Sequence, residues 1–61
     1  MVSVTSSVIS ALDYDRESQT LTVYFLSGAV YSYGGVPEEI YEDFLNSGSK
    51  GQYFNYNIKN F

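Results

Sequence analysis

The chain has 61 residues, which is enough for one small domain that buries only about 60% of the surface exposed by its unfolded form. It contains no cysteine and no histidine, so disulfides, thiolate metal sites, the usual zinc ligand and the usual general base at neutral pH are all excluded. A net charge of −4 argues against nonspecific binding along a nucleic-acid backbone, while an aromatic content of 18%, with seven tyrosines, is typical of a small binding or assembly module.

The N-terminal residues resemble neither a signal peptide nor a membrane anchor. Residues 1–7 lack a positive region and a long apolar core, and no apolar run of the chain is long enough to span a bilayer. We therefore expect a cytoplasmic protein with a single domain over residues 1–61, of which residues 1–7 form a flexible N-terminal extension.

Three segments predict β-strands. Residues 8–14 form the first, and the polar residues 15–19 that follow predict a loop. Residues 20–26 alternate β-branched and aromatic side chains with a period of two, which predicts the second strand. A loop over residues 16–19 would pair Tyr14 with Leu21 and Leu12 with Val23.

The dipeptide Ser27-Gly28 predicts a two-residue turn into a third strand over residues 29–33, because glycine tolerates a positive φ. Such a turn places Phe25 opposite Val30 and Tyr24 opposite Tyr31. Opposed residues of an antiparallel pair share a face. One face of the predicted sheet is then aliphatic, and the other carries Thr22, Tyr24, Tyr31 and Tyr33.

Two short helices are predicted after the strands. The segment Val36-Pro37-Glu38-Glu39 begins the first, since proline and acidic residues favour a helix N-terminus, and Asn46-Ser47-Gly48 ends it. Its apolar stripe comprises Ile40, Tyr41, Phe44 and Leu45. Phe54, Ile58 and Phe61 have the spacing of a second, terminal helix. The predicted fold is α+β, with a three-stranded antiparallel meander followed by two short helices packed on the aliphatic face.

Short motifs over residues 8–61 stand in an order that resembles the KTSC domain family, named after the C-terminus of some lysyl-tRNA synthetases. The matching segments include Tyr14-Asp15, residues 20–25, Ser27-Gly28, Tyr31-Ser32-Tyr33, Val36-Pro37, Ile40-Tyr41 and Tyr53-Phe54-Asn55. The resemblance implies a domain that occurs alone in bacteria and phages, with a suggested role in nucleic-acid binding. The chain departs from the family pattern around Tyr56 and Asn60, where basic residues are expected and only Lys59 is present.

Tyr24, Tyr31 and Tyr33 are candidate binding residues because the predicted register leaves them on the uncovered sheet face. They would form a stacking platform, since base–aromatic stacking contributes about 1–3 kcal/mol per base. Two other interpretations stay open. Tyrosine is a good strand former on a half-exposed surface, and contiguous exposed aromatic residues also mark subunit interfaces.

The turn Gly48-Ser49-Lys50-Gly51 is a second candidate site. Two glycines allow backbone N–H groups to converge before a helix, and Ser49 and Lys50 add a hydroxyl and a charge that suit one phosphate or carboxylate. The alternative is that the segment is only a turn. Tyr53 and Asn55 follow as candidates for exposed contacts, with Asn57 and Lys59 as weaker ones, whereas Phe54 is predicted to lie in the core.

The sequence predicts neither catalysis nor a bound cofactor or metal. No serine has a recognisable base partner, and the acidic residues lack the glycine and bidentate acid of a calcium loop. A domain of this size also offers little room for a substrate cleft.

Two hypotheses follow. The first is an oligomeric, non-enzymatic nucleotide-binding protein. If it is encoded by a phage, its role would be to sequester a nucleotide immune signal of the host. A symmetric dimer or a higher even-numbered oligomer would form through the tyrosine face. It would hold ligand at subunit junctions near Tyr31, Tyr33 and the Ser49-Lys50-Gly51 turn. The second is an RNA- or protein-binding accessory domain of the tRNA-synthetase type. Salt dependence distinguishes them, because polynucleotide binding weakens steeply with salt.

Overall fold

The structure, a computed structural model, describes all 61 residues and has an antiparallel sheet whose strands are neighbours in chain order. Two helical segments follow the sheet, and the second continues directly into a π-helix. The α+β class is confirmed, but the sheet has four strands and not three. The elements are β1 (Val2–Ser3), β2 (Ile9–Asp15), β3 (Thr20–Phe25), β4 (Val30–Tyr33), α1 (Glu38–Asn46), α2 (Lys50–Tyr53) and the π-helix (Phe54–Ile58).

The additional strand is β1, which lies in the segment predicted to be a flexible extension. Val2 pairs with Leu12 and Ser3 with Ala11, so β1 forms one edge of the sheet. The N–H of Val4 also donates a hydrogen bond of 3.2 Å to the carbonyl of Ser10. With only two residues, β1 is too short to produce a strand pattern in the sequence.

A β-bulge in β2 explains why its apolar residues show no single periodicity. The register of β2 against β3 shifts between Ile9 and Ala11, which inserts one extra residue into β2. Ile9 and Leu12 are three residues apart, yet both are fully buried in the core. Beyond the bulge the predicted register is confirmed: Leu12 pairs with Val23, and Tyr14 pairs with Leu21.

The predicted register between β3 and β4 is wrong by one residue. Tyr24 pairs with Val30 and Val23 pairs with Tyr31, because the turn contains Leu26 as well as Ser27 and Gly28. The two-residue turns that join β-hairpins need a positive φ at their first position, which glycine adopts most easily. That position would be Ser27, whose φ is not positive. The three-residue turn places the positive φ, 97°, on Gly28 alone.

The corrected register moves Tyr31 and Tyr33 to the sheet face that the helices cover, where they are aligned with Val23 and Leu21. The ring of Tyr33 lies 5.9 Å from that of Phe54, and the ring of Tyr31 lies 5.5 Å from that of Phe25, both edge-on. Val30, predicted to face the helices, lies on the opposite face and is 53% exposed. That outer face carries Thr22, Tyr24, Val30 and Ser32, so no three-tyrosine platform exists.

The core forms between the inner sheet face and the helices. Phe44 of α1 and Ile58 of the π-helix are fully buried, and Phe54 is 9% exposed, as predicted for a core residue. The α1 stripe is confirmed, since Ile40, Tyr41 and Leu45 pack on the same cluster. The buried cluster comprises Ile9, Leu12, Leu21, Val23, Val36, Phe44, Phe54 and Ile58.

The terminal helix begins earlier than its apolar spacing predicts and changes type partway along. It begins at Lys50, immediately after Ser49, and its last turns are π-helical, with the N–H of Lys59 donating to the carbonyl of Phe54 at 2.8 Å. A π turn holds more residues than an α turn. The π turn therefore rotates Phe61 away from the buried stripe that it was predicted to continue, and Phe61 is 49% exposed.

The register predicts unequal effects for two tyrosine substitutions on neighbouring strands. Tyr33→Ala removes a ring packed on Phe54 and should lower the free energy of unfolding by about 2–4 kcal/mol. Tyr24→Ala acts on the outer face and should cost about 1 kcal/mol. Urea denaturation followed by circular dichroism measures both. Equal losses would contradict the placement of the two rings on opposite faces.

Candidate functional site

A polar cleft lies where the N-terminal segment meets the turn between α1 and α2. It encloses about 400 Å³, within the range of small-molecule sites. Val8 is its only hydrophobic lining residue, and Lys50 is its only charged one. The lining consists of Thr5, Ser6, Ser7, Val8, Gly48, Ser49, Lys50, Gly51, Gln52 and Asn55.

Local hydrogen bonds hold the two walls of the cleft. On the N-terminal wall, the hydroxyl oxygen of Ser6 accepts hydrogen bonds from the N–H groups of Val8 at 3.1 Å and Ile9 at 3.2 Å. On the opposite wall, the Ser49 hydroxyl caps α2 by accepting a 3.4 Å bond from the N–H of Gln52. Serine is a favoured residue in both roles because its short side chain reaches nearby backbone donors.

Lys50 gives the cleft its positive charge. Its ammonium group donates a 2.7 Å hydrogen bond to the carbonyl of Ser47, next to the C-terminal end of α1. A cation at this end of a helix is favourable because the unpaired carbonyls there carry partial negative charge. The same bond orients the lysine, and its two further N–H groups are the donors that it can offer to a ligand.

Gly51 and Asn55 bring the terminal helix close to the N-terminal wall. A Cβ atom at Gly51 would lie 3.7 Å from a methyl carbon of Val8, so the two segments are in near contact. Asn55 is exposed on the π-helix and presents an amide that both donates and accepts hydrogen bonds. The site thus combines hydroxyl groups, the side-chain amides of Gln52 and Asn55, and one ammonium group.

The structure brings together the predicted turn Gly48-Ser49-Lys50-Gly51 and the predicted Asn55. Tyr24, Tyr31, Tyr33, Tyr53 and Lys59 do not line the cleft. Tyr53 instead stacks on Phe44, with ring centroids 5.4 Å apart, and its hydroxyl donates to the carbonyl of Ile40 at 3.4 Å. Burial and the nearby Asp43 raise the pKa of Tyr53. Lys59 is exposed just beyond the π-helix.

Sequence reasoning missed the N-terminal wall of the cleft and Gln52. The available signal was the run Thr5-Ser6-Ser7, three consecutive hydroxyl residues ahead of the first predicted strand. Its meaning depends on a contact with residues more than forty positions later, which no local pattern reveals.

A second polar feature lies outside the cleft and has a structural role. Tyr14 stacks on Tyr41, with ring centroids 4.6 Å apart, and its hydroxyl donates a 2.6 Å hydrogen bond to the carbonyl of Val36. Desolvation, followed by the negative charge of Glu38, raises the pKa of Tyr14, and Arg16 partly opposes this. These contacts join β2 to the segment that leads into α1.

The structure contains no group of three or more carboxylate, histidine or cysteine side chains placed to hold a metal ion. None of its helices has the length and hydrophobicity needed to cross a membrane.

Comparison with known proteins identifies the family to which this fold belongs. The KTSC domain profile matches residues 5–61, which include the whole cleft. The chain belongs to the KTSC domain family. A crystal structure of a KTSC domain protein from Yersinia pestis superposes with a TM-score of 0.90 and 37% identity, covering 93% of this chain and 80% of that one.

A segment similar to this chain also lies within larger proteins. A lysine–tRNA ligase of Nostoc punctiforme is 51% identical over 53 residues, which are 87% of this chain but 9% of the ligase. A protein of Tsukamurella paurometabola is 41% identical over 59 residues, covering 97% of this chain and 88% of that protein. The chain therefore corresponds to a small part of the ligase and to most of the Tsukamurella protein.

The raised pKa of Tyr14 predicts a loss of stability in alkali. Its hydroxyl ionises more readily in the unfolded chain, so the stability that it contributes is complete below about pH 10 and is lost as pH rises further. Tyr14→Phe should lower the free energy of unfolding at pH 7, because it removes the hydrogen bond to Val36, and should make the alkaline decline shallower. Denaturant titrations across this range measure both effects. Tyr56→Phe, at a ring that is 82% exposed, is the matched control and should change neither.

Proposed function

We propose that this KTSC domain is a non-enzymatic module that binds a small nucleotide in the polar cleft. The observation that carries the proposal is the convergence of Ser49, Lys50, Gly51 and Asn55 with the hydroxyl residues 5–7 around about 400 Å³. A volume of this order accommodates a small polar ligand and not a polymer.

The lining suits a ligand that has both an anionic and a hydrogen-bonding part. Lys50 is the sole charged lining residue, in a chain whose net charge is −4, so the cleft is a local positive site on an acidic protein. Serine and threonine hydroxyls can donate to phosphate or sugar oxygens. The Asn55 amide matches the edge of a base, which also presents a donor beside an acceptor.

The proposed ligand contacts do not include the tyrosine platform. Tyr31 and Tyr33 lie on the helix-covered face, and Tyr53 packs on Phe44. Recognition would instead depend on hydrogen bonds, so the cleft should distinguish nucleotides by their polar groups more than by their ring size.

Binding without chemical change is the proposed outcome because the lining holds no carboxylate and no other side chain that is a general base at neutral pH. A protein that binds a nucleotide and leaves it intact lowers the free concentration of that nucleotide. In a phage-infected cell this would remove a nucleotide immune signal, which is the biological role that we propose.

Matched substitutions test the cleft directly. Isothermal titration calorimetry with nucleoside monophosphates, triphosphates and cyclic dinucleotides should detect binding by at least one class. Asn55→Ala and Lys50→Met should each weaken it by about tenfold or more, because each removes hydrogen bonds to the ligand. Asn57→Ala and Lys59→Met are the controls, since both residues are exposed outside the cleft.

The proposal would be contradicted if no nucleotide bound. It would also be contradicted if Asn57→Ala weakened binding as much as Asn55→Ala, and Lys59→Met as much as Lys50→Met. The nucleotide recovered after denaturing the complex should be chemically unchanged. Appearance of a product would contradict binding without catalysis.

A second candidate function is RNA binding as an accessory domain, which is favoured by the similarity to a segment of lysine–tRNA ligases. The chain supplies few cations for it. Arg16 forms a 2.8 Å ion pair with Glu38, and Lys50 and Lys59 are the other two basic residues.

The salt dependence of binding separates the two functions. RNA contacted by all three cations would lose affinity by up to about 40-fold between 50 and 200 mM salt, whereas a nucleotide contacted by one lysine would lose at most about fourfold. Filter binding with a tRNA and calorimetry with the nucleotide, each repeated at both salt concentrations, measure this difference. Strong tRNA binding whose affinity falls steeply with salt would favour RNA binding over nucleotide binding.

A further inference from the structure

The strand β4 leaves one edge of the sheet open. It is the last strand in the order β1-β2-β3-β4, and β1, at the other edge, has only two residues. Val30 and Tyr31 of β4 are each 53% exposed. An open edge presents unpaired backbone groups that can pair with another strand.

The register shows which backbone groups point outward. Ala29 accepts a 2.9 Å hydrogen bond from the N–H of Phe25, and bonding residues alternate along an antiparallel strand. Residues 29, 31 and 33 therefore direct their backbone groups toward β3, while Val30 and Ser32 direct theirs away from the sheet. No loop or side-chain hydrogen bond of the structure engages the backbone of Val30 or Ser32.

This edge lacks the charged side chains, proline and bulge that often prevent strand pairing. Residues 18–37 contain no charged side chain, although the chain as a whole carries three basic and seven acidic residues. Natural sheets commonly protect edges with lysine, proline or a bulge. The one proline, Pro37, lies beyond β4, and the bulge is in β2. Two copies of the chain could thus meet at β4 without opposing like charges at the contact.

We propose that β4 pairs antiparallel with β4 of a second copy, with the two-fold axis at Tyr31. In this register Val30 lies opposite Ser32 of the partner, so the outward N–H and C=O groups of both residues form four hydrogen bonds. Shifting the axis by one residue, to Val30 or to Ser32, would leave only two of these bonds within the strand. The resulting dimer has one continuous eight-stranded sheet.

The surface area that this dimer can bury limits its stability. The chain exposes 3883 Å², and a stable interface removes about 800 Å² from each partner, which is about a fifth of that surface. A four-residue strand removes less, so the dimer dissociates on dilution. This inference concerns the sheet edge and does not depend on the nucleotide proposal.

Cysteine cross-linking tests the axis, because the chain has no cysteine of its own. Tyr31 would face its symmetry mate in a non-hydrogen-bonded pair, with Cα atoms about 4.5 Å apart, close enough for a disulfide. Under mild oxidation with oxidised glutathione, Tyr31→Cys should form covalent dimer about tenfold faster than Tyr56→Cys, the exposed control on the π-helix. Equal rates would overturn the proposal.

Sedimentation equilibrium on the unmodified chain should show reversible dimers whose fraction increases with concentration. Ser32→Pro removes the outward N–H, which β3 does not use, and should weaken dimerisation by about tenfold or more. Ser32→Ala keeps that N–H and should dimerise like the parent chain. If Ser32→Pro fails to fold, the cross-linking comparison decides. A chain that stays monomeric up to millimolar concentration overturns the inference, as does an edge that pairs only with a strand from another protein.

Discussion

The hydrogen bond from the N–H of Phe25 to the carbonyl of Ala29 determines how the sheet meets the helices. It closes the three-residue turn and thereby assigns every side chain of β4 to one face or the other. A shift of one residue would exchange the faces of Tyr33 and Ser32 and remove the aromatic contact with Phe54. The left-handed φ of Gly28 makes this turn possible, so the packing of the C-terminal helix depends on the conformation of a residue that it does not touch.

The C-terminal helix connects the core to the candidate site. Phe54 and Ile58 point into the core while Asn55 is exposed at the cleft, so the same helical turns both pack the core and line the cleft. The bond from Lys50 to the carbonyl of Ser47 attaches the beginning of this helix to the end of α1. A ligand would therefore meet side chains that are already held in place, which reduces the conformational entropy lost on binding.

Local patterns were sufficient for part of the fold and part of the site. The pairing of Tyr14 with Leu21 follows from a four-residue polar loop, and the buried face of α1 follows from helical spacing, because both depend on neighbours in sequence. The bulge in β2 and the turn after Phe25 each change the register by one residue, and their signals are weak: an irregular apolar pattern, and a serine where a shorter turn needs a glycine. Ser49 and Lys50 could be selected as polar residues beside glycines, and Asn55 as an amide in the motif Tyr53-Phe54-Asn55. Thr5 and Ser6 could not, because their role arises from a contact between the two ends of the chain.

The consecutive order of the strands has a consequence for folding. Each strand pairs with the next one along the chain, so the sheet can form by short loop closures, which cost little entropy and are fast. The cleft instead joins residues 5–8 to residues 48–55, and this closure spans most of the molecule. Its walls should come together after the hairpins have formed and should separate first when the domain opens. A ligand bound in the cleft would hold together the two walls that separate first. It would therefore slow the opening of the whole domain.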